Sequence, residues 1–166
     1  MEEPLLSAAF TIRQAQRADV PDLLRLIRGL AEYEKLAHMA VGTQPLLEAS
    51  LFGPRPAAEA LIAERAGAAV GFALFFTTFS TFLCKPGLYL EDVFVEPEHR
   101  GAGIGKALLV RLAQLALERG CGRLEWRVLD WNQPSIDFYK SLGASLMPEW
   151  ILVRMTDGEF GALAIK

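Results

Sequence analysis

Apolar residues recur along this chain in two rhythms, one of period two and one near 3.6, and their succession predicts the elements. Residues 10–15 alternate like a short strand. Asp19 then reads as a helix cap, Pro21 fits the first turn, and Leu23, Leu24, Ile27, Leu30 and Ala31 fall on one helical face. A second helix is expected from after Thr43 to about Phe52, where Gly53-Pro54 stops it. Residues 61–65 and 70–79 read as two strands joined at Ala66-Gly67, a hairpin. Residues 88–95 form another strand, ended by Glu96-Pro97-Glu98. Ile104, Leu108, Leu112 and Leu115 follow at steps of four, four and three, an amphipathic helix closing at Gly120. Residues 124–129 alternate as a strand, 132–142 read as a short helix with Pro134 near its start, and 150–155 make a last strand before an Asp157-Gly158 turn. The order β-α-α-β-β-β-α-β-α-β predicts an α/β (α+β) fold: a mixed, mostly antiparallel sheet with helices on both faces.

Length and charge narrow the function. With 166 residues and no repeat or linker, one domain is expected across 1–166. Apolar residues make up 52%, which excludes a disordered chain. Seventeen Lys and Arg against twenty Asp and Glu give a net charge of −3, a poor basis for binding nucleic acid. The 19 residues 66–84 carry no charged side chain, a run long enough to span a bilayer. Five phenylalanines interleaved with Thr77, Thr78, Ser80 and Thr81 instead point to a buried strand and its exit loop, so no membrane partner is expected. The acidic start Met1-Glu2-Glu3 is unlike a signal peptide, and a cytoplasmic chain is expected. Two cysteines, Cys84 and Cys121, read as buried hydrophobes, and with His38 and His99 they cannot build a usual zinc site; no metal is expected.

The segment Arg100-Gly101-Ala102-Gly103-Ile104-Gly105-Lys106 follows a strand and opens a helix. Glycines let the backbone turn sharply and bring its N–H groups close to a ligand, and the first N–H groups of a helix lack internal partners. Together they suit a phosphate or pyrophosphate, with Arg100 and Lys106 as cationic rim; an empty strand-to-helix turn is the plainer alternative. The spacing fits neither the Rossmann nor the Walker pattern. It fits Arg-x-x-Gly-x-Gly through Arg100, Gly103 and Gly105.

That loop resembles the pyrophosphate loop of the GNAT superfamily of acetyl-CoA-dependent N-acetyltransferases. The likeness extends to residues 88–95, to His99-Arg100-Gly101, to 128–135 with Phe138-Tyr139-Lys140, and to 30–36, which are similar to the diamine acetyltransferase branch of spermidine/spermine and thialysine enzymes. The resemblance implies acetyl-CoA as cosubstrate, a small-molecule primary amine as acceptor, and a homodimer. It implies acetyl-CoA contacts at Val93, Phe94 and Val95, along Arg100, Gly101, Ala102, Gly103, Ile104, Gly105 and Lys106, and at Asn132, Pro134 and Ser135.

Acetyl transfer to an amine whose pKa lies near 10.4 needs a proton route, an oxyanion donor and an acid for the departing thiolate. Asn132 and Tyr139, seven apart, should share a helix face, and the resemblance assigns the acid to Tyr139. Glu91 and Asp92 are adjacent carboxylates in an apolar strand, which points to a cleft and to opposite faces. By resemblance Glu91 contacts the amine and relays its proton through water, and Tyr33 and Glu34 lie near the amine end of the substrate; Asp92 beside Glu91, Glu125, Trp126 and Arg127 on the next strand, and Glu149 are the further candidates for the substrate wall. For Tyr33 and Glu34 an exposed, charged helix end is the competing reading. Two departures matter: the loop from Gly143 to Trp150 is shorter than in the polyamine enzymes, which unsettles a role for Glu149, and the loop from Phe79 to Cys84 contains no acid, so a long polycation would lose an anchor. The acceptor expected is a short amine or an amino acid resembling thialysine or lysine. A non-catalytic acyl-CoA sensor or partner-binding module, and an acetyltransferase of protein amines, are the alternatives.

Overall fold

The predicted strands up to residue 129 pair into a five-stranded sheet whose spatial order follows the chain, β1-β2-β3-β4-β5, in a computed structural model that describes residues 9–165. The strands are β1 (Phe10–Gln14), β2 (Glu59–Arg65), β3 (Ala68–Ser80), β4 (Lys85–Val95) and β5 (Leu124–Trp126). β1 through β4 pair antiparallel, and β5 joins β4 in parallel after the crossover helix. The helices are α1 (Val20–Tyr33), α2 (Gln44–Phe52), α3 (Ile104–Glu118), α4 (Gln133–Ser141) and α5 (Asp157–Ala164). No described helix is long and apolar enough to cross a membrane.

The chain divides after Arg127 into two compact units, the first holding the sheet with α1 to α3 and the second α4 and α5. In the first unit, alternation along each strand sends side chains to two faces. One face carries Ile62, Phe72 and Phe94, packed with Leu23, Leu26 and Leu30 of α1 and Leu51 of α2. The other carries Leu61, Ala73, Phe75, Leu88 and Leu90, all at most 2% exposed, and α3 packs on that side with Ile104, Leu108 and Leu112 buried. Burying large side chains on both faces is the main stabilising term, since each contributes roughly 1.5–3 kcal/mol.

Five sequence expectations change. Asp19 does not cap α1 through a backbone bond of its own turn; its carboxylate accepts from the Arg13 guanidinium at 2.7 and 2.8 Å and from the Gln16 amide at 2.7 Å. That guanidinium holds the Asp19 carboxyl below its usual range. β5 ends at Trp126 rather than 129, and residues 150–155 are exposed and irregular rather than a strand. Trp150 to Val153 is a continuous apolar run with no alternation, and a strand forms only where another strand accepts its hydrogen bonds. Asp157-Gly158 opens α5 instead of turning, because Thr156 and Glu159 close a capping box, with the Thr156 amide donating to Glu159 Oε2 at 2.6 Å. Cys84 is exposed in the β3–β4 turn at φ 50° and Cys121 is half-buried, so neither is the buried hydrophobe expected.

Candidate active site

A single extra residue in β4 decides which way the site carboxylates point. Phe75 stands opposite Leu90 and Leu74 opposite Asp92, so Glu91 is left over as a β-bulge. Residues directly opposite on paired strands share a face. Leu90 therefore faces α3 with Phe75, while Asp92 faces the α1 side with Leu74. Without the bulge Leu90 and Asp92, two apart, would share a face, and a carboxylate would enter the apolar core beneath α3. The expectation that Glu91 and Asp92 divide by simple alternation is thus replaced by a bulge that turns Asp92 away from that core.

Asp92 is half-buried, whereas Glu91 is exposed. Burial, then the charges of Glu91 and Glu34, push the Asp92 carboxyl up to about 6, and Arg127 pulls the other way. Glu34 lies just beyond α1, where the helix ends with Lys35 at φ 61°, the Leu36 amide donating to Ala31 O at 2.8 Å and the Lys35 amide to Glu32 O at 3.0 Å. This turn holds Glu34 half-buried, and burial raises its carboxyl as well.

Two arginines cross the same face. The Arg127 guanidinium lies 5.7 Å from the centre of the Tyr89 ring, with Nη2 3.9 Å from Glu91 Oε1. The Arg100 guanidinium lies 4.8 Å from the Tyr33 ring and 5.6 Å from Phe94, while its Nε donates to Val95 O at 2.9 Å. Tyr33, expected at the substrate wall, thus also stacks on the first residue of the glycine loop. Glu125 sits opposite Tyr89 and pairs with Arg123 at 3.1 Å; Trp126 sits opposite Leu90, on the other face.

The parallel pairing of β4 with β5 stops at Leu90 and Trp126. Among the described residues no strand continues beside 91–95 on that edge, so the backbone of Val93, Phe94 and Val95 is presented along one side. At the end of this edge the glycine loop turns with Gly101 at φ 79° and Gly103 at φ 83°. A Cβ at either glycine would meet nothing within 4 Å, which leaves room for a ligand over the loop. Ile104 is 1% exposed and pins the helix start, and Ala107 makes the first helical bond, to Gly103 O at 3.0 Å. The amides of Ile104, Gly105 and Lys106 therefore begin the helix at its positive end. An open backbone edge leading to a glycine loop at a helix start fits the pantetheine arm and pyrophosphate of acetyl-CoA.

In the second unit Asn132 is 5% exposed and caps α4, its Oδ1 accepting from the Ser135 amide at 3.4 Å. It precedes the helix rather than lying in it, with Pro134 in the first turn. Tyr139, in the last turn, is half-buried with its ring 5.6 Å from that of Phe138. Glu149 is exposed in the irregular stretch before α5. Reading the residues alone misses the bulge, the Arg100–Tyr33 stack and the Arg127–Tyr89 stack; two adjacent carboxylates inside an apolar strand are the one local hint of the first.

A model of the acetyltransferase (GNAT) family matches residues 27–144. The chain is 41% identical over 146 residues to a thialysine N-epsilon-acetyltransferase of Bos taurus, covering 83% of this chain and 85% of that one. It is 32% identical over 197 aligned positions to an L-ornithine N5-acetyltransferase of Arabidopsis thaliana, covering 92% and 86%. Among solved structures, an integron cassette protein of V. cholerae superposes with a TM-score of 0.81 at 28% identity, covering 95% of this chain and 98% of that one. The sheet, the glycine loop and these likenesses define an acyl-transferring enzyme. The chain belongs to the acetyltransferase (GNAT) family.

Proposed function

We propose that the protein transfers the acetyl group of acetyl-CoA to a primary amine of a small diamino acid or diamine, by direct attack within a ternary complex. The observation that carries this reading is the parting of β4 from β5 after Leu90, with Glu91 and Asp92 at the split and the glycine loop at the end of the same strand. Acetyl-CoA, when bound, supplies an activated thioester. The amides at the start of α3, with Arg100 and Lys106 beside them, hold its phosphates, and the β4 edge at Val93 to Val95 orients its arm. Asn132, Pro134 and Ser135 contribute at the head of α4.

Glu34, Glu91 and Asp92 attract the alkyl ammonium, and Glu91 takes its proton through water so that the neutral amine attacks. Tyr139 returns a proton to the departing thiolate. Tyr33, Glu125, Arg127 and Glu149 complete the acceptor's surroundings. The relatives' own acceptors, thialysine and L-ornithine, carry a second amine on an amino acid, which supports the diamino-acid class. The acid-free loop between β3 and β4 supports it too, since a long polycation would lack an anchor there. One acetyltransferase domain spanning 1–166 accords with a family match that reaches into both compact units. A cytoplasmic homodimer is part of the same proposal.

The test is thiol release from acetyl-CoA against thialysine, lysine, ornithine, spermidine and a basic peptide, with Tyr139→Phe alongside. Turnover with one amine, reduced about a hundredfold in the variant, is expected for loss of a general acid. Equal rates in both proteins would remove Tyr139 from the mechanism. Tight acetyl-CoA binding with no turnover on any acceptor would make the protein a sensor.

A further inference from the structure

We propose that Arg127 reads a carboxylate on the acceptor, so that the site selects α-amino acids bearing a side-chain amine over diamines and polyamines of the same reach. The proposal presupposes the small-molecule acetyltransferase reading above and narrows its substrate class. Its starting point is a charge that does not suit a polyamine. Glu34 and Glu91 both act on Asp92, as a site for ammonium groups should, yet Arg127 stands in the same field, its Nη2 3.9 Å from Glu91. A guanidinium there repels every added amine of a polycation and offsets one of the three carboxylates.

The placement of Arg127 suits recognition better than structural support. It follows β5 directly, where β4 and β5 part, and it is exposed. Its Cζ lies 5.7 Å from the centre of the Tyr89 ring, a cation–π approach, and Tyr89 itself packs on Phe76 with ring centres 5.2 Å apart. A guanidinium held over a ring by its charge keeps the planar fork of N–H donors that matches a carboxylate bidentately. Among the described residues its ion pair is the 3.9 Å approach to Glu91, beyond hydrogen-bond distance. Arg127 is thus oriented by an aromatic face and drawn towards Glu91 without being consumed by it. A substrate with an ammonium at one end and an ammonium-carboxylate head at the other matches this mixed field: carboxylates for the amines, Arg127 for the acid. A diamine leaves the guanidinium unanswered.

The experiment compares lysine with cadaverine, the same chain without its carboxylate, and with lysinamide, in wild type, Arg127→Gln and Arg127→Lys. The readout is the ratio of kcat/KM for lysine to that for cadaverine. Wild type is expected to favour lysine, and Arg127→Gln to cut the ratio by about tenfold or more, the scale of a lost charge-assisted hydrogen-bonded pair. Arg127→Lys, which keeps the charge but not the fork, is expected to fall between them, and lysinamide to behave like cadaverine in wild type. A ratio that changes less than about threefold in Arg127→Gln, or a wild type that prefers cadaverine, would overturn the proposal while leaving the acetyltransferase standing. No turnover with any amine would instead overturn the acceptor class, and the role of Arg127 with it. Because Arg127 is exposed, a folded variant is expected, and a ratio of acceptors is insensitive to the active fraction of enzyme.

Discussion

Asp92 stands opposite Leu74 on the α1 side of the sheet, although Leu90, two residues earlier, faces α3 opposite Phe75. The bulged Glu91 between them is what makes this possible. The consequence is a carboxylate that is half-buried and close to two others, with its titration moved up to about 6. Ionised Asp92 attracts a cationic acceptor, and protonated Asp92 does not. As pH falls through about 6, kcat/KM for the amine is therefore expected to drop along a limb with that midpoint. In Asp92→Asn the limb should disappear, with the plateau lowered. A pH–rate profile of both proteins checks this, and an unchanged limb in the variant would assign it elsewhere.

The same shift makes a stability prediction of definite sign. A carboxyl whose pKa is higher folded than unfolded binds protons more tightly in the folded state. Its contribution to stability is largest below the unfolded value, near 3.9, and is lost as pH rises through about 6. At pH 8 ionised Asp92 thus destabilises the fold, and Asp92→Asn is expected to raise stability there by on the order of 1–2 kcal/mol, discounted for its partial exposure. The gain should shrink towards pH 4. Urea denaturation at the two pH values measures it.

Arg100 joins the glycine loop to the end of α1, through Val95 O on one side and the rings of Tyr33 and Phe94 on the other. Lysine supplies a point charge but neither the planar guanidinium nor the Nε bond. Arg100→Lys is expected to lose about 1 kcal/mol of stability and to weaken acetyl-CoA binding, even though charge is kept. Calorimetric titration with CoA and a thermal melt would show both; unchanged values would mean that charge alone matters at this position.

The glycines of the loop are not equivalent. Gly103 at φ 83° occupies backbone space that disfavours any Cβ, whereas Gly105 lies inside α3 at an ordinary helical conformation, with only Val95 Cγ2 at 4.0 Å. Gly103→Ala is expected to cost roughly 1–2 kcal/mol. Gly105→Ala should leave stability unchanged or raise it by up to about 1 kcal/mol, because glycine is a poor helix former. Melting temperatures of the pair decide between backbone conformation and crowding as the reason for glycine here.

Much of the fold is legible in the sequence because its signals are local. Alternation marks β1, apolar runs bounded by turn residues mark β2 to β4, and Gly101, Gly103 and Gly105 before an apolar helix mark the loop. What stays hidden depends on partners distant in sequence. The register slip between Leu74 and Phe75 sets the direction of Asp92, yet nothing within residues 88–95 encodes which residue of β3 each will meet. Arg127 meets Tyr89 across a parallel crossover, and Arg100 meets Tyr33 from sixty-seven residues away, a separation no periodicity reports. The run 150–153 has strand-like composition but not strand-like alternation, and α5 is announced only by Thr156 and Glu159, a capping box that outweighs the Asp-Gly pair between them.

The β2–β3 hairpin supplies a prediction independent of the site. Its turn places both Ala66, at φ 51°, and Gly67, at φ 78°, in the left-handed region. That is the geometry of the two-residue turn whose twist matches the flanking strands, and its favoured sequence is Asn-Gly. Alanine has no side-chain oxygen to stabilise this conformation and carries a Cβ that opposes it. Ala66→Asn is expected to stabilise the protein by roughly 0.5–1 kcal/mol, and Ala66→Val, with a branched Cβ, to destabilise it by about 1 kcal/mol or more. Both are read as shifts in the urea midpoint at constant m-value. A midpoint that moves the same way in the two variants would mean that side-chain contacts, not the backbone conformation, govern this turn.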